Sequence, residues 1–179
     1  MKIMYSPIEQ KEFEKAIIFM VNKINNYCRN EKPVILHTLR VGMGLMELNM
    51  QKEVVIAGFL HDLLEDTDCQ IEDIQKKFDK DIAKLVKACT FDISISNYKE
   101  RWQKSLKGLF EGGKEAMIIR VVDAMDNLPY YILISDKNRK KEVLWKHRFL
   151  VNSLDKYLHH EKIFQKYETQ VIKAEADNG

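Results

Sequence analysis

Glycine and proline are scarce, 7 and 3 residues in a chain of 179. So few breakers argue against many short strands and tight turns, and favour helices. Cysteine is sparse as well. Cys28, Cys69 and Cys89 are odd in number and make no CxxC pair. That argues against a disulfide framework or a thiolate zinc site, and fits a reducing compartment. Long apolar runs are missing: Ala16–Val21 has six residues, against the ~18 needed to span a bilayer. The run follows Glu9, Glu12 and Glu14 and has no small-residue cleavage site, so it is not a secretion signal. An excess of one charge is missing too. The 29 basic and 27 acidic side chains leave a net +2, which gives no electrostatic case for nucleic acid or an anionic membrane. A cytoplasmic location follows by elimination.

Apolar residues make up 45% of the chain, enough for a packed core, and the length suits one domain rather than two. Ser6-Pro7 with Glu9 reads as a helix start. Phe13, Ile17, Met20, Val21 and Ile24 then repeat at helical spacing. Asn25, Asn26 and Asn30 to Pro33 end that helix. A second is expected over about Val34–Leu48, with Leu36, Leu39, Val41, Leu45 and Leu48 inward, and a third, strongly apolar and central, over about Lys52–Leu64. Shorter helices follow over about Ile71–Phe78 and Lys80–Cys89. Thr90–Asn97 reads as a loop, in which Phe91–Ile95 alternates like a short extended piece. Further helices are expected over about Tyr98–Phe110, stopped by Gly112-Gly113, and from about Lys114, bending at Pro129. A long last helix is expected over about Lys141–Ile172, its buried stripe including Val143, Leu144, Phe149, Leu150, Leu154, Leu158 and Phe164. The basic cluster Lys137, Arg139, Lys140 and Lys141 reads as a loop and the start of a solvated helix. The expected fold is all-α, a single domain over residues 1–179 with about eight helices and a tail that frays after Ala174.

The segment Leu60-His61-Asp62-Leu63-Leu64-Glu65-Asp66-Thr67 puts four ionisable groups at the end of a very apolar helix. On a continuous helix His61 stacks with Glu65, and Asp62 with Asp66. Burying that much charge is costly without compensation, and a divalent cation with imidazole and carboxylate ligands supplies it. A solvated polar helix end is the plainer reading, although acidic groups there oppose the macrodipole. His37 lies in the apolar stretch Pro33–Val41, either as a hydrogen-bonded core histidine or as a ligand. Asp123 and Asn127 are four residues apart on a largely apolar helix. A buried aspartate there needs a cation or several donors, whereas a surface-facing one needs neither.

Together, His37, the His61-Asp62 pair 24 residues on, the extension Glu65-Asp66-Thr67, and Asp123 with Asn127 resemble the HD-domain phosphohydrolases. In particular they are similar to the hydrolase domain of the Rel/Spo alarmone enzymes and their stand-alone small relatives. The resemblance covers about residues 9–155 and leaves no room for a synthetase or regulatory domain. It implies an HD-domain helical bundle with a core over about 9–155 and a C-terminal helix to about 172. It implies one divalent ion, most often Mn²⁺, with Fe²⁺ or Zn²⁺ compatible, held by His37, His61, Asp62 and Asp123. Glu65 and Asp66 would orient or deprotonate the attacking water and handle the leaving-group proton. Asn127 would contact the substrate or fix the site.

The implied reaction is removal of the 3′-pyrophosphate from guanosine tetra- or pentaphosphate, so the expected partner is a small phosphorylated nucleotide. The chain departs from the family around Cys28–Thr38, where the pattern is close to RKSGEPYIxHP. Arg29 occupies the Lys position, and Pro33, Ile35 and His37 match; Cys28, Glu31, Lys32, Val34 and Thr38 do not. Ala124 stands where a basic residue usually follows the metal-binding aspartate. Two alternatives therefore stand beside the alarmone reading: a phosphohydrolase for another nucleotide or dinucleotide cofactor, and a non-catalytic nucleotide sensor. Arg29, Lys32 and Arg101 read as phosphate contacts or surface charges. Tyr98, Trp102, Tyr130 and Tyr131 read as base-stacking or packing aromatics. A homo-oligomer is left open.

Overall fold

The computed structural model describes residues 5–29 and 32–177. It is helical throughout and has no strand among the described residues. The elements are α1 (Pro7–Asn26), α2 (Val34–Glu47), α3 (Lys52–Leu60), α4 (Leu63–Asp66), α5 (Ile71–Lys77), α6 (Lys80–Cys89), α7 (Tyr98–Glu111), α8 (Gly113–Asn127), a 3-10 helix (Leu128–Leu133), α9 (Lys137–Leu158) and α10 (Lys162–Ala176). The all-α expectation holds, with more and shorter helices than the eight expected. The chain divides into two compact units, one ending at Ile119 and one starting at Arg120, a boundary inside α8. No helix among the described residues is long and apolar enough to cross a membrane.

In the first unit α3 is central and packs on α1, α2 and α6. Every residue from Val54 to Leu60 is buried, as an all-round apolar helix requires. α1 begins where Ser6-Pro7-Glu9 places it. The Ser6 and Glu9 side chains cap each other's backbone N–H groups, which satisfies two donors of the first turn. Asn30 and Glu31, part of the expected break after α1, lie outside the described residues. α2 and α3 approach closely through two glycines. A Cβ on Gly42 would lie 2.2 Å from two ring atoms of Phe59, and one on Gly58 would lie 2.2 Å from Leu45 Cδ1. α7 ends at Gly112, and Gly113 at φ 77° turns the chain into α8. Thr90–Asn97 is a loop with no extended pairing.

Four expectations need correction. Leu36 (56% exposed) and Leu48 (37%) do not face inward; the buried stripe of α2 is Val34, His37, Thr38, Val41 and Leu45. The helix expected over Lys52–Leu64 stops at Leu60, turns at His61-Asp62 and restarts as α4. The long C-terminal helix is two helices, parted at His159–Glu161, where the Glu161 N–H bonds the Leu158 carbonyl. α9 also starts at Lys137 rather than about Lys141, because Asp136 accepts the Arg139 N–H as its N-cap.

In the second unit α9 packs on the 3-10 helix and on α10. Leu150, Leu154, Leu158 and Phe164 are buried, with His147, Val151 and Tyr167 beside them; Val143, Leu144 and Phe149 are only half-buried. Arg148 and Glu175 pair between α9 and α10. The bend expected at Pro129 is the passage from α8 into the 3-10 helix. Asn178 and Gly179, in the tail expected to fray, lie outside the described residues.

Candidate metal centre

His37 belongs to the inward stripe of α2, so the same periodicity that buries Val34 and Val41 buries its imidazole, 2% exposed. Thr38 beside it bonds the Val34 and Ile35 carbonyls at 3.1 Å and leaves no unsatisfied hydroxyl. His61 ends α3 and is also 2% exposed. Its Nδ1 lies 2.8 Å from the Gly58 carbonyl. A carbonyl only accepts, so Nδ1 carries the proton and Nε2 faces the other way, the arrangement that orients a metal-binding histidine. Asp62 N-caps α4, and its carboxylate turns back toward both rings. His61 Nε2 is 3.0 Å from Asp62 Oδ1, and His37 Nε2 is 3.4 Å from Asp62 Oδ2. The ring centroids are 5.2 Å apart at 70°.

Burial alone would raise the Asp62 carboxyl pKa. The neighbouring His61, Lys32 and His37 outweigh burial and hold it well below the usual carboxylate range. Lys32 Nζ lies 3.3 Å from Asp62 Oδ2. His61, with its proton on Nδ1, presents a lone pair to that carboxylate, an arrangement that needs either a second proton or a bound cation between them. A divalent ion would satisfy the nitrogen and the carboxylate together. The donors are nitrogen and oxygen without thiolate, a set that suits a divalent first-row metal. These residues therefore fit the group the sequence called for.

Glu65 and Asp66 stand in the first turn of α4, both half-buried. Glu65 Oε1 accepts the Phe91 N–H at 2.8 Å, which fixes the carboxylate against the loop before α7. The Asp66 carbonyl accepts the Arg29 N–H at 2.8 Å. Thr67 closes the turn: its hydroxyl donates to the Leu63 carbonyl at 2.6 Å and accepts the Cys69 N–H at 3.0 Å. The pairing of His61 with Glu65 on one continuous helix is not what forms, because α3 and α4 are separate. Glu65 and Asp66 stand in the single turn of a separate four-residue helix, not at the C-terminal end of a long one.

In the second unit Asp123 is 4% exposed and held from both sides along its own helix. Arg120 donates to Oδ2 at 2.7 Å and Asn127 to Oδ1 at 2.5 Å. The same unit buries His147 against Tyr167, with Nδ1 and the hydroxyl 2.8 Å apart. Burial, helped by Lys146, drives the His147 pKa well down despite Asp123; burial, then Asp123, drives the Tyr167 pKa well up.

The remaining sequence candidates divide. Lys32 reaches Asp62, whereas exposed Arg29 bonds the Tyr27 hydroxyl at 3.3 Å and lies over that ring. Arg101 bonds the Ile95 carbonyl at 2.8 Å, and Trp102 packs edge-on against Phe91, so both brace the 90–97 loop. Tyr131 is buried, Tyr98 half-buried and Tyr130 exposed. Sequence reasoning missed three features. Arg120 had a legible signal, a base three residues before an aspartate on an apolar helix. The ion pair of Lys32 with Asp62 and the buried His147–Tyr167 pair had none, since both join residues distant in sequence.

A family profile described as HD domain matches residues 16–128. The chain belongs to the HD-domain family. Among its relatives, the guanosine-3′,5′-bis(diphosphate) 3′-pyrophosphohydrolase of Aquifex aeolicus is 32% identical over 139 residues, 75% of this chain and 20% of that protein. The guanosine-3′,5′-bis(diphosphate) 3′-pyrophosphohydrolase MESH1 of Drosophila melanogaster is 34% identical over 100 residues, 55% of each. The chain thus spans between a fifth and about half of these relatives. A solved structure described as a metazoan orthologue of SpoT that hydrolyses ppGpp superposes with a TM-score of 0.77 over 98% of both chains, at 21% identity, and shares the fold. The structure of lmo0812 from Listeria monocytogenes has a TM-score of 0.67 at 29% identity, over 77% of this chain and 97% of that one.

Proposed function

We propose that this chain is a cytoplasmic, metal-dependent phosphohydrolase that removes the 3′-pyrophosphate of a guanosine bis(diphosphate). The observation that carries the reading is the buried convergence of His37, His61 and Asp62, with both Nε2 atoms aimed at one carboxylate. The names of the relatives supply the substrate. His37, His61, Asp62 and Asp123 would hold the ion, most often Mn²⁺, with Fe²⁺ or Zn²⁺ suited to the same donors. When bound, a divalent ion lowers the pKa of water and neutralises charge on a phosphoryl group.

The rest falls to the chain's own side chains. The His61 proton on Nδ1 is tied to the Gly58 carbonyl, which keeps Nε2 available as a lone pair. Glu65, anchored on the Phe91 N–H, orients the attacking water and takes its proton on the carboxylate. Asp66 handles the leaving-group proton. Asn127 holds Asp123 and meets the substrate, while Arg29 and Lys32 meet its phosphates.

Pure protein incubated with Mn²⁺ and guanosine tetraphosphate should release pyrophosphate, and Asp62→Ala should not. No turnover of this or any nucleotide in a panel sinks the proposal. A second reading has the same chemistry on a different phosphorylated nucleotide. It is favoured by the departures at Cys28–Thr38 and by Lys32, which bonds an aspartate of the centre. Cleavage of the alarmone alone in that panel eliminates it.

A further inference from the structure

One oxygen of the centre has two claimants. Asp62 Oδ2 lies 3.4 Å from His37 Nε2 and 3.3 Å from Lys32 Nζ. A dication held by His37 and Asp62 must share that oxygen with the ammonium, and like charges at such range repel. The lysine can yield. Its side chain is 30% exposed, it precedes α2 rather than lying within it, and a compact charge on a flexible stem is easily re-aimed. An arginine locked in a fork could not swing so freely.

We infer that Lys32 is a built-in counter-cation that competes with the metal for Asp62 and leaves it for an anionic phosphate. The inference rests on the metal-centre reading above. While the centre holds no dication, Lys32 offsets the buried Asp62 charge, which otherwise carries a heavy desolvation penalty. When a phosphate group gives Lys32 another partner, the competition ends and the ion is held more tightly. By reciprocity, a bound ion that displaces Lys32 also favours the phosphate. Metal retention and substrate occupancy are thereby coupled through one side chain.

The test is calorimetric titration of Mn²⁺ into the whole chain without substrate. Lys32→Met should bind Mn²⁺ about three- to ten-fold more tightly than wild type, the worth of one partly buried ion pair. Lys32→Arg, which keeps the charge but is harder to re-aim, should bind Mn²⁺ no more tightly than wild type. Sulfate, compared with chloride at matched ionic strength, should tighten Mn²⁺ binding in wild type and leave Lys32→Met unmoved. Equal or weaker Mn²⁺ binding by Lys32→Met overturns the inference, as does equal tightening in Met and Arg variants or an equal sulfate effect in wild type and Met. Asp62→Asn separates the two levels of the argument: undiminished Mn²⁺ binding in that variant removes the metal centre itself.

Discussion

Replacing Gly42 by alanine would place a Cβ 2.2 Å from Cδ1 and Cε1 of Phe59 and 2.7 Å from Cγ. Ordinary contact needs more than about 3.4 Å, so the ring and the new methyl must separate by over an ångström. Phe59 is 1% exposed and rigid, and no rotation of a flexible end relieves three ring atoms at once. Relief therefore has to come from sliding α2 off α3. Overpacking of this kind costs about 1–3 kcal/mol, and the better helix propensity of alanine returns about 1 kcal/mol. The net loss should be up to about 2 kcal/mol, a fall in Tm of several degrees at most. The larger effect falls on the centre. α2 carries His37, α3 leads into His61, and their Nε2 atoms now lie within 3.4 Å of the Asp62 carboxylate. A shift of about 1 Å between the helices should weaken Mn²⁺ binding by about ten-fold or more, comparable to loss of an outer-shell partner. Calorimetry with Mn²⁺ and thermal unfolding, run on the same preparations, test both parts. Wild-type metal affinity in Gly42→Ala would refute the claim that α2–α3 packing sets the centre.

Under the proposed base role, Glu65→Gln should lose most turnover yet bind Mn²⁺ as wild type does; a parallel loss of metal would move Glu65 into the ligand set. Cys89→Ala should cost roughly 1 kcal/mol in stability through lost packing and leave turnover near wild type, because Cys89 is a buried core residue outside the set proposed for the centre. His147 gives a pH signature: its folded pKa is depressed, mainly by burial, below the ordinary 6.5. Below pH 6.5 the unfolded chain therefore binds more protons, so this group's contribution is fully present above 6.5 and is lost as pH falls toward the folded value. Urea unfolding of His147→Gln between pH 7 and 5 should show a shallower acid slope than wild type, and identical slopes would remove His147 from the account.

Helix starts were the most legible part of the fold, because they are chemical events within three residues. Ser6 with Glu9, Asn97 before Tyr98 and Asp79 before Lys80 each cap the helix that follows. The break at Phe78-Asp79 was legible without glycine or proline, but two others were not. His61-Asp62 and His159–Glu161 carry neither glycine nor proline, and apolar residues resume soon after each. The start of α9 hid behind Lys137, Arg139 and Lys140, cations that oppose a helix N-terminus and that Asp136 overrides. Leu36 looked inward by type, yet α2 buries the stripe through His37, so a polar residue marked the inner face better than a leucine did. In the centre, His37, His61 and Asp62 could be read as buried polar groups in apolar surroundings. Lys32 could not be given its place, because only the fold brings it to Asp62.

The break at His61-Asp62 is also what allows the pair to act together. Successive side chains on a regular helix diverge by about 100°, so an uninterrupted α3 would send the imidazole and the carboxylate to different faces. His61 keeps helical angles, with φ −59° and ψ −33°, but Asp62 opens to φ −88° and ψ −9°. That departure from the helical ψ of about −42° falls in the sparsely allowed bridge region, where active-site residues recur. The change is small, and it brings Asp62 Oδ1 to 3.0 Å from His61 Nε2. It also makes Asp62 the N-cap of α4, so its carbonyl accepts the Asp66 N–H at 2.9 Å and sets the first turn that carries Glu65. One unwound position thus aims the Asp62 carboxylate at His61 and begins the helix that carries Glu65. Neither role needs a glycine, and for that reason the sequence pattern shows the residue but not the helix break at it.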